Sequence, residues 1–354
     1  MKDIENEVLT PGKEKKLKSS RGRSFGYQVL GFGSGSAGSP FMEATGGTIT
    51  TVCTNFKVHT FTGPGSFVVT AGTCTANNDV AYVVVGGGGA GGFGIGGGGG
   101  AGGFREGKTN PQVPYTGSPL AASSGITVTT QSYPITVGAG TPGGCSSQAA
   151  PNLNGNTSTF SSITSAGGGG GGSYQDYQTG GSGGSGGGGT YTWSGVHSSI
   201  PAPTSFRGAG DTPDVTPNQG FPGGKGWDAW YNGILTGAGG GASAQGGDSG
   251  STSANHGGVG VTTSITGSSL SYAGGGGGSA YGIHLGPFPG GGSSGPATPC
   301  GTGGAGGGNI PNKNGTTNRG GGGGGGNPVP GPEPAGNVGG SGGSGVVIIR
   351  YKFQ

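Results

Sequence analysis

Long runs of glycine dominate this chain and constrain its fold more than any other feature. Of 354 residues, 99 are glycine, and the longest runs occupy 86–89, 96–100, 167–172, 274–278 and 320–326. Glycine loses the most backbone entropy on folding and has no side chain to bury, so such runs usually form flexible linkers. Here short apolar segments flank the runs. The whole stretch, the glycine field (86–345), ends in GVVIIRYKF, a buried-strand pattern that a linker does not need.

A backbone without Cβ atoms can approach other backbones more closely than any other chain. The strict Gly-X-Y period is absent, so a collagen triple helix is excluded. The remaining ordered arrangement is a bundle of left-handed polyglycine II-type helices with three residues per turn, which must form their hydrogen bonds laterally. Ordering a glycine costs roughly 0.5–1 kcal/mol more than alanine, and a backbone hydrogen bond contributes about 1 kcal/mol. We therefore expect a cooperative bundle that apolar strands clamp at its rim.

The apolar segments predict a β frame for this bundle. Strand patterns occur in TITTVCTNFKVHTF (48–61), SFVVT (66–70) and VAYVVV (80–85). His59, within the first, is expected to have a packing or capping role and no chemical one. Shorter strand patterns recur at 133–137, 158–164, 261–266 and 269–273, the second and fourth leading into glycine runs. We predict a mainly β protein with irregular structure and almost no α-helix, in which apolar strands clamp a bundle of polyglycine II-type helices. The predicted parts are an arm and attachment peptide (1–40), a β-hairpin frame (41–85) and a glycine-rich domain (86–354) with an aromatic insertion (190–235) and a closing strand (345–354).

Four cysteines lack the CxxC spacing of a zinc or redox site. The Thr-Gly-Pro-Gly turn at 62–65 predicts a hairpin that sets Val58 beside Val69 and Cys53 opposite Cys74. We predict a disulfide between these two cysteines, although a bulge would break the register. Cys145 follows a Thr-Pro-Gly-Gly turn and Cys300 follows a Thr-Pro turn. Whether these two cysteines form a second pair stays open.

Positive charge is concentrated at the N-terminus. The chain has a net charge of +3, and residues 1–23 contain seven Lys/Arg and four Asp/Glu. This arm is either a solvated tail or a docking arm, and it lacks the interleaved aromatic residues typical of nucleic-acid binding. No apolar run approaches 18 residues and no signal-peptide core follows Met1, so we expect neither a membrane span nor signal-dependent export. Assembly inside a cell, with release by another route, fits better.

Two groups of apolar residues are candidate binding sites. The segment 24–40 carries a compact patch that is too short to form its own core and is predicted to attach the chain to a partner: Phe25, Tyr27, Val29, Leu30 and Phe32. The insertion 190–235 contains all three tryptophans, whose rings a glycine bundle cannot admit. They form either a recognition loop or a local hydrophobic plug. The candidate recognition residues are Trp193, Trp227, Trp230 and Tyr231.

No pattern indicates catalysis. GxGxxG matches are inevitable among so many glycines, and none follows a strand and opens a helix with an acidic residue further on. The phosphate-loop pattern is missing, and the four histidines are dispersed. Asp211 and Asp214 could bind calcium in a loop, but two carboxylates without a glycine-centred ligand pattern disfavour this interpretation. We expect no enzymatic activity, no catalytic residue, no cofactor and no metal.

Several stretches together resemble a known group of proteins. GGTITTVCTNFKVHTFTGPGSFVVTAG, YVVVGGGGAGG, YPITVGAG, STFSSITSAGGGGGG and GGSGGSGVVIIRY are similar to the glycine-rich domain of tail-fibre, adhesin and appendage proteins of tailed bacteriophages. The resemblance covers 46–354, and GYQVLGFGSG is similar to the openings of virion proteins of phages that infect marine bacteria. It implies a β-sandwich-like frame that encloses the polyglycine II-type helices. It also implies a protein of the virion surface, assembled in the host cytoplasm and attached by its N-terminus. The implied partners are other virion proteins and the host cell surface. Appendages of this type are often trimeric, which implies a homo-oligomer.

Other functions stay open. Fibre, adhesin tip and capsid decoration are not distinguished by these motifs. The chief alternative is a freestanding extracellular structural or ice-binding protein, because a flat face of Thr, Ser and Gly could order water. An RNA-binding glycine-rich protein would need RGG repeats or an RNA-recognition motif, and Arg319-Gly-Gly is the only RGG in the sequence.

Overall fold

The strand that leads into the glycine field is buried on both faces, and the fold is organised around it. The computed structural model describes residues 41–72, 78–109, 113–145, 153–174, 179–190, 206–229, 233–249, 256–281, 303–304, 313–327 and 338–354. No α-helix occurs in these ranges. The strands are β1 (Glu43–Thr45), β2 (Thr48–Val52), β3 (Phe56–Phe61), β4 (Gly65–Ala71), β5 (Asp79–Val85), β6 (Phe104–Gly107), β7 (Ala121–Ala122), β8 (Ile126–Thr127), β9 (Ser132–Thr136), β10 (Ser158–Phe160), β11 (Ile163–Ser165), β12 (Trp227–Ala229), β13 (Gly233–Leu235), β14 (Val261–Thr263), β15 (Leu270–Tyr272), β16 (Ala280–Tyr281) and β17 (Val346–Lys352).

Two larger sheets form the frame. One has five strands in the order β1-β4-β9-β10-β11, and the other has seven, along the path β2-β3-β17-β5-β6-β7 with β8 paired to β5. Neighbouring strands are antiparallel in both sheets, except that β6 and β7 are parallel. Two small sheets, β12-β13-β16 and β14-β15, arise within the glycine field. The prediction of a mainly β protein with almost no helix is confirmed.

The main hydrophobic core lies between the two larger sheets. Alternate residues of β5 and β17 point into it, because successive side chains of a strand face opposite sides. Each fully buried Val, Ile or Phe contributes roughly 1.5–3 kcal/mol. The residues from the seven-stranded sheet include Val80, Tyr82, Val84, Val347, Ile349 and Tyr351, and those from the five-stranded sheet include Phe67, Val69, Tyr133, Ile135 and Phe160.

A second core covers the other face of the seven-stranded sheet. The remaining residues of β5 and β17 point into it, and the opposing side comes from the glycine field itself. This explains why VAYVVV and VVII are continuous apolar runs and not alternating patterns. From the sheet come Val58, Ala81, Val83, Val85, Val346 and Ile348, and from the glycine field come Ala101, Ala242, Val261, Ile265, Tyr272 and Ala273.

The predicted hairpin between β3 and β4 is wrong. β3 pairs with β2 and β17, and β4 pairs with β1 and β9, so the turn at 62–64 connects two different sheets. Val58 lies opposite Arg350 on one side, and Val69 lies opposite Ala44. A hairpin register requires both strands in one sheet, so the basis for pairing Cys53 with Cys74 is lost. Cys53 has a free, exposed thiol, and Cys74 lies outside the described residues.

Short strands lead into glycine segments, as their sequence similarity predicted. β11 ends at Ser165 and is followed by the glycine segment 166–173, and β15 ends at Tyr272 and is followed by 273–279. Both segments are almost fully buried despite having few side chains. The predicted strands at 133–137 and 261–266 correspond to β9 and β14.

Candidate functional site

In the glycine segment 86–92, every third residue bonds to the same neighbour. The amides of residues 86, 89 and 92 donate to the carbonyls of 103, 100 and 97; those of 87 and 90 donate to 156 and 153; those of 88 and 91 donate to 343 and 340, all at 2.8–3.0 Å. The segment therefore sends its donors in three directions, with a period of three residues. A polyglycine II-type helix has this period, while the handedness of the segment stays a prediction.

The carbonyls of the same segment accept hydrogen bonds from three further neighbours. Residues 87 and 90 accept from 168 and 171, residues 88 and 91 accept from 141 and 144, and residues 89 and 92 accept from 323 and 326. Six segments thus surround 86–92. The next segment, 96–103, likewise donates to three segments (166–172, 237–240 and 320–326) and accepts from three others (86–92, 185–188 and 276–279). We call this network of glycine segments the glycine lattice.

The close spacing of the lattice leaves no room for side chains. A Cβ atom added to Gly88 would lie 2.0 Å from the carbonyl oxygen of Gly321, and one added to Gly169 would lie 1.8 Å from that of Gly181. Atoms cannot approach so closely, so glycine is required here by backbone packing and not by unusual dihedral angles. Gly63, in the turn between β3 and β4, has nothing within 4 Å of an added Cβ.

Lattice segments run alternately away from the sheets and back to them. The chain leaves β5 along 86–92, turns at 93–95, and returns to β6 along 96–103. It later leaves β11 along 166–173 and returns to β17 along 339–345. Several connections therefore start and finish at the end remote from the sheets, which we call the far end. Their flanking residues are 145 and 153, 190 and 206, 229 and 233, 249 and 256, and 327 and 338.

A buried arginine forms hydrogen bonds and ring contacts with several segments of the second core. Arg350, in the middle of the apolar strand β17, is 2% exposed. Its Nη1 donates to the carbonyl of Ile265 at 3.2 Å and its Nη2 donates to that of Pro114 at 3.1 Å. The guanidinium also lies over the rings of Phe56 (4.8 Å) and Tyr115 (5.2 Å). Burial lowers the pKa of Arg350, but a guanidinium still keeps its charge.

Glu106 is a second buried charged residue whose side chain bonds parts of the second core to one another. This β6 residue is 1% exposed, and its carboxylate accepts hydrogen bonds from the Ser118 amide at 2.8 Å and the Thr263 hydroxyl at 2.6 Å. Burial, together with the charge of Glu106, raises the pKa of Tyr115 far above its usual range, so that phenol stays neutral. Neither charged residue was among the sites predicted from the sequence. A signal was present for Arg350, because it interrupts the apolar run of β17. None was present for Glu106, which follows a second charged residue, Arg105, in the short strand β6.

His59 lies in the main core, as its expected packing role requires. It is fully buried. Its Nδ1 lies 2.7 Å from the carbonyl oxygen of Gly46, and its Nε2 lies 3.3 Å from the hydroxyl of Tyr351. The imidazole ring also packs nearly perpendicular to the ring of Phe67, with the two centroids 5.0 Å apart. Burial lowers the pKa of His59, and the bond to Gly46 opposes this only in part.

The glycine lattice and the closing strand β17 both lie within the part of the chain that matches a known protein family. The profile of a family described as a glycine-rich domain matches residues 62–352. This chain belongs to the glycine-rich domain family. Neither a comparison with curated proteins nor one with solved structures found a match. Within its described ranges, the glycine-rich domain has no helix of sufficient length and apolarity to cross a membrane.

Of the predicted recognition residues, the structure of the glycine-rich domain describes the position of one. Trp227 begins β12, which pairs with β13 and, through it, with β16. This small sheet lies at the far end of the lattice, because β12 follows a segment that runs away from the larger sheets. Trp193, Trp230 and Tyr231 lie outside the described residues. So do the predicted attachment residues Phe25, Tyr27, Val29, Leu30 and Phe32. Their roles stay predictions.

The outer face of the five-stranded sheet carries hydroxyl groups and almost no charge. Thr164, Thr159 and Thr136 lie opposite one another on three adjacent strands. The only charged residue in these five strands is Glu43, at the bulged edge strand β1. The outward hydroxyl residues are Thr45, Ser66, Thr70, Ser132, Thr136, Thr159 and Thr164, and all but the half-buried Thr159 are exposed. We call this surface the hydroxyl face.

Asp211, one of the two aspartates of the candidate calcium loop, has local structural partners. The Asp211 carboxylate accepts from the amides of Gln219 at 3.0 Å and Val215 at 3.5 Å. Partial burial raises the pKa of Asp211, as does the neighbouring Asp214. No group of three or more potential metal ligands occurs in the described part of the chain.

Proposed function

We propose that this glycine-rich domain protein is a non-enzymatic structural and binding protein of a phage particle. It would be a tail fibre, an adhesin or a capsid-surface appendage on the virion surface. The observation that supports this best is the six-neighbour hydrogen bonding of segment 86–92. It converts glycine runs, which would otherwise be flexible, into a stiff body. Such a body suits a protein that must hold a binding surface away from a particle.

The far end of the lattice is the part best suited to contact the host. Loops fixed on a rigid scaffold are a common material of recognition sites, because little entropy is lost when they bind. Connections emerge repeatedly at this end, and β12 with Trp227 lies there. Aromatic residues contribute strongly to binding when a partner buries them. We therefore propose that Trp193, Trp227, Trp230 and Tyr231 contact a host surface.

Attachment would occur through the N-terminal segment 1–40. The basic arm and the patch that includes Phe25, Tyr27 and Phe32 would bind other virion proteins during assembly in the host cytoplasm. Copies of the chain would stand side by side as a homo-oligomer.

Purified virus particles provide the test. We expect the full chain to copurify with particles, and antibody labelling in electron micrographs to locate it on their surface. A variant without residues 1–40 should keep the thermal transition of the full chain but be missing from particles. A double variant Trp227→Ala/Trp230→Ala should be incorporated but adsorb less to host cells, whereas Thr212→Ala, in an exposed loop beside the sheets, should adsorb normally. Absence of the full chain from particles would refute the proposal.

A second candidate function, ice binding by a freestanding protein, has the hydroxyl face in its favour. Neighbouring strands lie about 4.8 Å apart and alternate residues about 6.8 Å apart, so the threonines form a regular uncharged array. The test is inhibition of ice recrystallisation by the purified chain. If ice is the ligand, the double variant Thr136→Lys/Thr159→Lys should lose inhibition, and Thr317→Lys, at an exposed site off the sheets, should retain it. No inhibition by the unmodified chain would exclude this function.

A further inference from the structure

Strand β2 is an exposed edge of the seven-stranded sheet. It pairs with β3 on one side and ends the sheet on the other. Its residues Thr48, Ile49, Thr50 and Thr51 are all exposed. The side chain of Ile49 is 44% exposed, and within the described ranges no other large hydrophobic residue is classed as exposed. Within the described ranges, no strand lies beside the other side of the β2 backbone, and the β2 side chains are accessible on both faces.

This edge lacks the features that normally prevent pairing with another strand. Natural edge strands carry lysine, proline or a bulge, since an open row of amide and carbonyl groups attracts other chains. β2 has the sequence TITTV, with no charge and no proline. Its register with β3 runs unbroken from Thr48 to Val52, so no bulge turns the edge away. By contrast, the edge strand β1 of the other sheet has both a charge, Glu43, and a shifted register.

We propose that β2 pairs antiparallel with β2 of a second copy of this chain, about a two-fold axis at Thr50. Thr50 would then lie opposite the partner's Thr50, and Ile49 would lie opposite the partner's Thr51. Two seven-stranded sheets would join into one continuous sheet. Self-pairing requires a strand that does not repel itself, and an uncharged strand of β-branched residues satisfies this requirement. A charged partner segment would gain nothing from this edge, which has no opposite charge to offer.

The size of the contact predicts a weak dimer. A stable interface buries about 1,600 Å² in total, and one pair of five-residue strands buries much less. Dimers should therefore form at high protein concentration, or where copies are held close together so that their effective concentration is high. The β2 edge belongs to the seven-stranded sheet and lies away from the candidate host-binding end. Pairing through β2 therefore does not depend on whether the chain is a phage protein.

A charge-swap series in sedimentation equilibrium tests the proposal. We expect the dimer fraction of the full chain to rise with concentration, and the same for the control Thr136→Lys, which adds a charge to an exposed central strand. Thr50→Lys and Thr50→Glu should each be monomeric, because like charges would meet on the two-fold axis. An equimolar mixture of these two variants should recover the dimer, which also excludes misfolding as the reason for their loss.

Hydrogen exchange gives an independent measurement. The outward amides of β2 should become at least several-fold slower to exchange as concentration rises, while those of the loop 212–216 should not change. A chain that stays monomeric throughout would overturn the proposal. So would a dimer that tolerates Thr50→Lys, or a variant mixture that fails to dimerise. Slow exchange of β2 in the monomer would mean that another segment of the chain covers this edge.

Discussion

Val85 and Val346 lie directly opposite each other in neighbouring antiparallel strands. The chain leaves the seven-stranded sheet for the glycine field after one of them and returns to it before the other. The field is therefore a long insertion whose two ends are fixed at one place by strands buried on both faces. This clamp supplies the apolar burial that the lattice lacks. It also explains how segments with so little side-chain surface remain ordered.

Replacing a lattice glycine by alanine should destabilise the protein strongly. In Gly88→Ala the new Cβ would lie 2.0 Å from the Gly321 carbonyl oxygen, so the two segments must separate and lose hydrogen bonds. We expect the free energy of unfolding to fall by about 3 kcal/mol, as measured by chemical denaturation. Gly63→Ala is the matched control, because its Cβ would meet nothing within 4 Å. Equal effects in both variants would contradict the close packing of the lattice.

Backbone amides of the lattice should be as well protected as those of the central strands. The amides of segment 86–92 all have partners in neighbouring segments, so their exchange requires cooperative opening. We expect hydrogen exchange there to be slowed to the same extent as in β5. Exchange of the lattice amides at the rate of an unfolded peptide would remove the physical basis of a rigid body.

Removal of the buried guanidinium should loosen the attachment of the lattice. Arg350→Ala deprives the carbonyls of Pro114 and Ile265 of their donors and leaves a cavity between two rings. Unfolding free energy should fall by about 3 kcal/mol, and hydrogen exchange in β14 and β15 should accelerate. Lys352→Ala, in the same strand but only half-buried, should have a small effect on both measurements.

Stability should fall in mild acid because of His59. Burial lowers the pKa of this side chain below its ordinary value of 6.5, so below pH 6.5 the unfolded chain binds a proton that the folded chain does not. Its contribution is complete above pH 6.5 and is lost as the pH falls towards the folded-state pKa. The slope can reach about 1.4 kcal/mol per pH unit. Thermal unfolding between pH 5 and 7.5 measures it.

Two histidine variants separate this effect from general acid sensitivity. His59→Leu should have a shallower dependence of melting temperature on pH than the unmodified chain, even if its stability at neutral pH is lower. His256→Gln replaces an exposed histidine and should leave the dependence unchanged. If His59→Leu retains the full dependence, another group is responsible.

Local sequence patterns predicted where the strands of this fold lie better than they predicted which strands pair with each other. The apolar runs of β5 and β17 identify buried strands, and short segments such as YPITV correspond to strands in the structure. The pairing of β3 was predicted wrongly because a Gly-Pro turn suits a hairpin and a sheet-to-sheet connection equally well. One of its two partners, β2, directly precedes it, but the other, β17, lies almost at the opposite end of the chain, and no local pattern encodes that contact.

The candidate surfaces divide in the same way. Tryptophans in the insertion suggested a recognition region, but only the course of the lattice segments puts β12 at the far end. The hydroxyl face and the open edge of β2 could not be found from sequence, since Thr and Ser occur throughout the chain. They become a surface only when strands from distant positions align.

The sequence by itself determined the kind of bonding that holds this protein together. Glycine runs without Cβ atoms cannot form a side-chain core, so they must form backbone-to-backbone hydrogen bonds between apolar strands. Only the tertiary structure decided which segments are neighbours. Segment 86–92, for example, forms hydrogen bonds with six segments that lie between residues 97 and 343 of the chain. Glycine segments are chemically almost identical, so nothing in one run selects another. The choice is made by the strands at their ends, whose side chains fix direction and register through packing.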